Sequence, residues 1–420
     1  MVPDCQWLSI VLVVLATELI GSAATADTLF SSGTLVVERV GDGSSTLSGT
    51  AAPISVLEVT TSGSHRQTIT LSGTGASQQT DSGNSISNGY LNTYGGYVSV
   101  PGYNAPAGTA SVAASNTKVN SLLDTSGNVV NRTLFPTGGP PPFNSNNFRS
   151  SIATSGSTFY GVGASTGSPN TGGAWYYNGT TFTQVSGTAT GQPTNLRVAE
   201  IYNNQLYATS AAGTGYGIWS IGTGLPTTAG NTSTLAINTG AGADPYGFVM
   251  FSTGARGAGV LDLAYIADNR TTAGGGLQKW TFTGSGTAAT WSNSWSLFVS
   301  GTVGSPPMTL QSGTAAGFAG LRGLAGTYDS VHGATLYATT TELSNNRLIS
   351  IFDSGSTTPS TYSTLQSAGT NYVFRGVDLS PASALAVPEI DPATGGSAFS
   401  LVAGVCAMIE RRRRRAMLVA

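Results

Sequence analysis

Apolar and polar residues along this chain fall into short runs that turn residues cut off. Leu35-Val36-Val37-Glu38-Arg39-Val40 and Ile54 to Val59 are strand-length runs bounded by Gly-Asp-Gly and Ser-Gly, and Gln67 to Leu71 continues the series. No segment keeps a 3.6-residue apolar period, and the helix formers Lys and Glu are scarce. The pattern predicts strands almost throughout, an all-β chain.

The strands repeat. Asn147-Phe148-Arg149 leads into Thr158-Phe159-Tyr160-Gly161, Asn195-Leu196-Arg197 into Gln205-Leu206-Tyr207-Ala208-Thr209, and Gly320-Leu321-Arg322-Gly323 into Thr335-Leu336-Tyr337-Ala338-Thr339. Pro245-Tyr246-Gly247-Phe248 precedes Leu263 to Asp268, Ser87-Asn88-Gly89-Tyr90 precedes Tyr97 to Val100, and Val373-Phe374-Arg375-Gly376 closes the series. Later strands carry an aromatic residue, as at Trp175, Trp219 and Trp280. A fixed lead strand, a Leu-Tyr-Ala-Thr strand and an aromatic strand are how propeller blades read. Lead positions 90, 148, 196, 246, 321 and 374 are 58, 48, 50, 75 and 53 residues apart, which suits four-stranded blades with variable loops. Too few residues follow Phe374 to finish a blade, and the strands between Leu35 and Leu71 are the missing ones. The expectation is a β-propeller of six blades, or seven if the 75-residue interval holds a divergent one. Its N- and C-terminal strands share a blade and so leave no open sheet edge.

Roughly residues 33 to 380 resemble secreted bacterial propeller proteins. The resemblance lies in Leu35 with Arg39-Val40-Gly41-Asp42-Gly43, Gly276-Leu277-Gln278-Lys279-Trp280, Leu321-Arg322-Gly323-Leu324 and Phe374-Arg375-Gly376-Val377. It implies a fold and a location and adds little on chemistry.

Both ends speak of export. An apolar stretch from Trp7 to Ile20 is followed by Ala24-Thr25-Ala26, the small-x-small pattern of a signal-peptidase site. Residues 1–26 are expected to be a signal peptide cut after Ala26, leaving 27–386 as the propeller domain. At the other end stand Val387-Pro388-Glu389-Ile390-Asp391-Pro392, an apolar segment over 393–409, the block Arg411-Arg412-Arg413-Arg414-Arg415 and a tail over 416–420. The clustered arginines hold that end on the cytoplasmic side of a membrane. Residues 387–415 resemble the bacterial PEP-CTERM sorting signal, in a variant where Val-Pro-Glu-Ile-Asp-Pro replaces Val-Pro-Glu-Pro. The resemblance implies a short C-terminal membrane helix, processing by an exosortase-type enzyme as well as signal peptidase, and delivery to the cell-envelope surface or extracellular matrix.

Composition narrows the chemistry. Without the five terminal arginines and the five acids of the end segments, 12 basic and 14 acidic residues remain, a balance that offers nucleic acid no basic face. Both cysteines, Cys5 and Cys406, lie in the end segments, so the domain carries no disulfide, thiol nucleophile or cysteine metal site. His65 and His332 stand in turn-like contexts, too few for a zinc site and poorly placed for a Ser-His-Asp system. No metal ligands and no catalytic residues are assigned. Asp42, Asp244, Asp262, Asp268, Asp329 and Asp378 are spread over different blades, where turn capping suits them best; calcium held by converging acids is the cofactor to test.

The arginines carry more. Arg149, Arg197, Arg322 and Arg375 occupy one position in four repeats, and Tyr90 and Tyr246 lie at or near it in two more. Equivalent positions in a propeller form a ring near the innermost strand. Such a ring either binds carboxylate, sulfate or acidic sugar at the propeller's mouth, or bonds each blade to its neighbour. The leading functional expectation is a non-enzymatic structural or binding module, with extracellular polysaccharide as the candidate partner. The alternative is a propeller hydrolase or lyase acting on polysaccharide or a lactone through channel carboxylates.

Overall fold

The structure is a computed structural model describing residues 29–381 apart from 116, 214, 285–288, 301–308 and 313–317. The expected signal peptide with Ala24 and Ala26, the motif from Val387 to Pro392, the apolar segment, the five terminal arginines and the tail lie outside the described residues. Among the described residues every regular element is a strand except one 3-10 turn over Val112–Ala114, and no helix is long and apolar enough to cross a membrane.

The first eight strands are β1 (Thr34–Gly41), β2 (Ala51–Thr60), β3 (His65–Thr70), β4 (Thr80–Ser82), β5 (Asn92–Tyr94), β6 (Tyr97–Tyr103), β7 (Lys118–Leu123) and β8 (Val129–Leu134). Four separate sheets follow. They comprise β9 (Phe148–Ala153), β10 (Phe159–Gly163), β11 (Gly173–Tyr177) and β12 (Phe182–Gln184); β13 (Leu196–Tyr202), β14 (Gln205–Ala212), β15 (Gly215–Ile221) and β16 (Ser233–Asn238); β17 (Pro245–Phe251), β18 (Leu263–Asp268), β19 (Gly276–Thr283), β20 (Thr290–Val299) and β21 (Leu310–Gln311); and β22 (Leu321–Asp329), β23 (Gly333–Thr340), β24 (Arg347–Asp353) and β25 (Ser363–Ser367). Each is an antiparallel meander in chain order, and together they have a β-propeller arrangement. The last strand, β26 (Tyr372–Leu379), returns to pair with β1, setting Leu35 opposite Leu379 and Val40 opposite Val373. It thereby joins the first eight strands in one nine-stranded sheet that runs β26-β1-β2-β4-β6-β7-β8, with β3 on the free edge of β2 and β5 on β6.

The lead strands β5, β9, β13, β17, β22 and β26 touch one another in that order, and β26 touches β5 again. Apolar layers fill the gaps between sheets. Leu206, Ala208 and Trp219 pack on Ile152 and Val162, while Leu321, Leu336 and Ile349 pack on Leu263, Tyr265 and Leu277. Burial of these side chains supplies the main stabilising term among the described residues, which include no cysteine.

Two recurrent residues of the repeat explain the close ring. A Cβ on Gly247 would lie 2.6 Å from Leu324 N, one on Gly323 2.5 Å from Arg375 O, and one on Gly376 2.5 Å from Leu91 N. Each glycine thus lets its lead strand meet the next backbone to backbone. The threonine of the Leu-Tyr-Ala-Thr strand does the complementary work. Thr339 Oγ1 accepts from Gly323 N at 2.8 Å and donates to Arg375 O at 2.7 Å, and Thr209 Oγ1 accepts from Val198 N at 3.2 Å and donates to Tyr246 O at 2.8 Å. One hydroxyl fills the local bulge in its own lead strand and ties the next one to it.

Candidate functional site

Arg149, Arg197, Tyr246 and Arg322 are the second residues of their lead strands, Tyr90 just precedes β5 and Arg375 lies within β26. Tyr90 and Tyr246 meet with ring centroids 5.4 Å apart, both almost fully buried, and Val198 packs with them. Arg197 lies over the Tyr246 ring at 4.1 Å and pairs with Asp244 at 2.6 Å. Arg149 donates to Asn195 and, at 3.0 Å, to Leu196 O of the following sheet. Arg322 donates from Nε to Asn269 of the preceding sheet at 2.9 Å, and Arg375 donates to Gly83 O at 3.0 Å and Ser82 O at 3.4 Å. Every one of these guanidiniums therefore bonds a group on an adjoining strand set. Arg149, Arg322 and Arg375 are buried. Burial, with Arg197 nearby, pulls Arg149 down to about 10, and burial likewise lowers Arg375.

Further along the lead strands the sign of the charge reverses. Asp378 accepts from Thr93 N at 2.6 Å and Thr93 Oγ1 at 2.9 Å, tying β26 to β5. Burial raises Asp378 to about 6, and burial with the Asp378 charge raises Glu200 well above the carboxylate range. Both residues are half-buried. Glu200 escaped the sequence reading because its repeat partners at that position are mostly apolar.

A cleft of about 320 Å³ opens elsewhere, between the outer parts of the sheets β17–β20 and β22–β24. Its floor is a charged cluster: Lys279 Nζ lies 2.8 Å from Asp353 Oδ2, and Tyr265 Oη donates to the same oxygen at 2.7 Å. Burial, aided by the hydrogen bond to Asp353, raises the Tyr265 phenol. Half-buried Phe282 and Tyr328 flank the mouth; Arg256 lies over Phe282 at 4.5 Å, and Tyr328 stacks on Phe251 at 5.8 Å. Cations, a carboxylate and aromatic faces within one concavity are the makings of a polar-ligand site. Sequence reasoning missed it because its parts come from two repeats and several loops. The one signal was Lys279, one of only two lysines in a charge-poor chain.

No protein-family model and no curated protein sequence matches this chain. Solved structures do. The chain is similar to a provisionally assigned 6-phosphogluconolactonase from Bacteroides uniformis at 14% identity, covering 79% of this chain and 82% of that one with a TM-score of 0.38. A second protein so assigned, from Bacteroides fragilis, has 14% identity, coverage of 78% and 82%, and a TM-score of 0.40. A provisionally assigned oxidoreductase (glucose dehydrogenase) from Thermus thermophilus has 13% identity, coverage of 76% and 93%, and a TM-score of 0.34.

Asp42, Asp262, Asp268 and Asp329 hold turns, whereas His65, expected in a turn, begins strand β3. Asp42 accepts from Ser44 N, Ser45 N and Ser45 Oγ, which lower it to about 2. Asp262 accepts from Thr253 N and Oγ1, both at 2.7 Å, and Asp268 binds Arg270 through Nε and Nη2. Exposed Asp329 caps the turn that holds His332, and exposed His65 bonds Thr68. Among the described residues no three His, Cys, Asp or Glu side chains gather in one place.

Proposed function

We propose that this protein is an exported six-bladed β-propeller that binds a carbohydrate-class ligand in the cleft between the β17–β20 and β22–β24 sheets. The observation that carries this reading is the cleft itself: Phe282 and Tyr328 line it with aromatic surface suited to a sugar, while Arg256 and the Lys279–Asp353 pair offer charge-assisted hydrogen bonds. The arginine ring, on this reading, couples blades: each guanidinium makes at least one bond to a neighbouring strand set, although Arg149 Nε, Arg197 Nε and Nη1 and Arg375 Nε have no hydrogen-bond partner. The closed run of six lead strands supports a count of six blades, with β26, β1, β2 and β3 read as the shared blade and β5 to β8 as the next. Export rests on the two end segments, with signal peptidase and an exosortase-like enzyme as processing partners and the envelope surface or matrix as destination.

Binding to immobilised acidic and neutral polysaccharides tests the reading. Phe282→Ala and Tyr328→Ala should each weaken an acidic glycan about tenfold, and Arg256→Ala should weaken acidic glycans while sparing neutral ones. Unchanged binding in all three variants would remove the cleft from consideration. The second reading, hydrolysis of a polysaccharide or lactone, is favoured by the Lys279–Asp353–Tyr265 cluster on the same floor, which could orient and exchange protons. Turnover of a sugar lactone that Lys279→Met abolishes would put that reading first.

A further inference from the structure

The blade shared by the two chain ends contains a polar pocket that neither the arginine ring nor the cleft uses. It is built from β1, β4, β26 and the loop before Tyr90. Glu38, Asp81 and Asn88 are wholly buried, and Arg375 is nearly so. Asp81 Oδ1 is satisfied by Ser82 N at 2.7 Å and Asn88 Nδ2 at 3.1 Å, and Asn88 Nδ2 also reaches Tyr103 Oη at 3.0 Å. Those bonds fix the amide's orientation and turn its oxygen away from donors. Five buried atoms then have no hydrogen-bond partner: both carboxylate oxygens of Glu38, Asp81 Oδ2, Asn88 Oδ1 and Arg375 Nε. Four of the five are oxygens that can only accept.

Glu38, Asp81 and Arg375 converge beside Gly89. A Cβ on Gly89 would lie 2.5 Å from Glu38 Oε1, 3.0 Å from Asp81 Oδ2 and 3.0 Å from Arg375 Cγ. Gly89 has φ of 77° and no side chain, so it both permits the turn and keeps the space between the carboxylates clear. The two carboxylate oxygens are thus no more than 5.5 Å apart, by the sum of those two distances. Two oxygens on one calcium ion span up to about 5 Å. Two carboxylates beside one guanidinium also leave a negative charge that sealed protein tolerates poorly.

We propose that this closure junction holds one hard cation, with calcium as the fitting ion, coordinated by Glu38, Asp81 Oδ2 and Asn88 Oδ1. The ion would satisfy four orphaned acceptors at once, where a water molecule supplies two hydrogens and no charge. Because Glu38 comes from β1, and Asp81 and Asn88 from β4 and the loop before Tyr90, the ion would tie the N-terminal strand to the segment that follows it, beside but not through Arg375 of the last strand. The pocket is sealed, so the ion enters during folding or local opening and leaves slowly.

The test uses the full-length chain refolded in calcium chloride, in magnesium chloride or in EDTA at constant ionic strength, then dialysed and assayed for bound metal and melting temperature. The expected result is about one calcium per chain and a melting temperature several degrees above the EDTA sample. Magnesium, which sheds its waters reluctantly, should give neither. Glu38→Gln and Asp81→Asn should each abolish retention and the calcium shift. Calcium held equally by both variants would place the ion elsewhere and overturn the proposal. So would a wild type that retains no calcium and loses stability as pH rises, which would mean that Glu38 and Asp81 share a proton. Burial pushes both in that direction, Asp81 to about 6 and Glu38 well above its ordinary range, with Arg375 opposing. Should either variant fail to fold, the wild-type metal content alone decides between the outcomes.

Discussion

Replacing Gly323 by Ala adds a single methyl group and tests how the ring is closed. That methyl would sit 2.5 Å from Arg375 O, 2.7 Å from Thr339 Oγ1 and 3.2 Å from Val377 N, where ordinary contact begins near 3.4 Å. β22 and β26 must therefore part by most of an ångström, and the obstacle is backbone that cannot rotate aside. Overpacking of this kind costs roughly 1–3 kcal/mol. The same movement pulls on the Gly323 N to Thr339 Oγ1 to Arg375 O relay, worth about 1 kcal/mol for one net buried hydrogen bond. Alanine's smaller unfolded-state entropy returns about 0.5 kcal/mol, so the expected destabilisation is about 1.5–3.5 kcal/mol. Gly323 does not have a left-handed φ, so the effect is steric and serine should behave like alanine. Urea unfolding by tryptophan fluorescence measures it as a fall in midpoint at unchanged slope. Gly138→Ala is the matched control, because nothing lies within 4 Å of its added carbon, and it should stay within about 0.5 kcal/mol of wild type. If Gly323→Ala matched that control, the lead strands would not be in backbone contact and the account of the repeat's glycines would fail.

Other consequences follow from the ring and the ends. Arg197→Met removes the contact to Asp244 and the stack on Tyr246, and should cost about 2–3 kcal/mol; adding Asp244→Asn should recover part of that loss, and strict additivity in the double mutant would deny the coupling. Asp378, raised to about 6 in the folded state from an ordinary carboxylate value near 4 in the unfolded chain, binds its proton more tightly when folded. Its contribution to stability is fully present below pH ~4 and is lost as pH rises through ~6. Because Asp378 is partly exposed, the loss should be no more than about 2 kcal/mol; Asp378→Asn should flatten the profile, and an unaltered profile would assign it to other groups such as Glu200. In an exporting host the surface form should begin at Asp27 by N-terminal sequencing, and Glu389→Ala should leave the C-terminal segment attached; processing that ignores Glu389 would count against the sorting motif.

The sequence by itself determined the strands, the repeat and the sharing of one sheet by both chain ends, because each of these is written in local pattern. Alternation marks a strand wherever one face is buried, and Phe374 visibly lacked the residues to complete its blade while Leu35 to Leu71 offered three unassigned strands. The recurrence of Arg149, Arg197, Arg322 and Arg375 was equally legible. Their partners were not. Whether a guanidinium faces solvent or a neighbouring carbonyl depends on how far apart two lead strands stand, and that distance is set by Gly247, Gly323 and Gly376 acting across blades. Asp353 and Lys279 come from different sheets and Glu38 and Arg375 from opposite ends of the chain, so no spacing along the sequence could bring either pair together. Only closure of the ring did that, because a propeller places side by side residues that the chain separates by up to its full length.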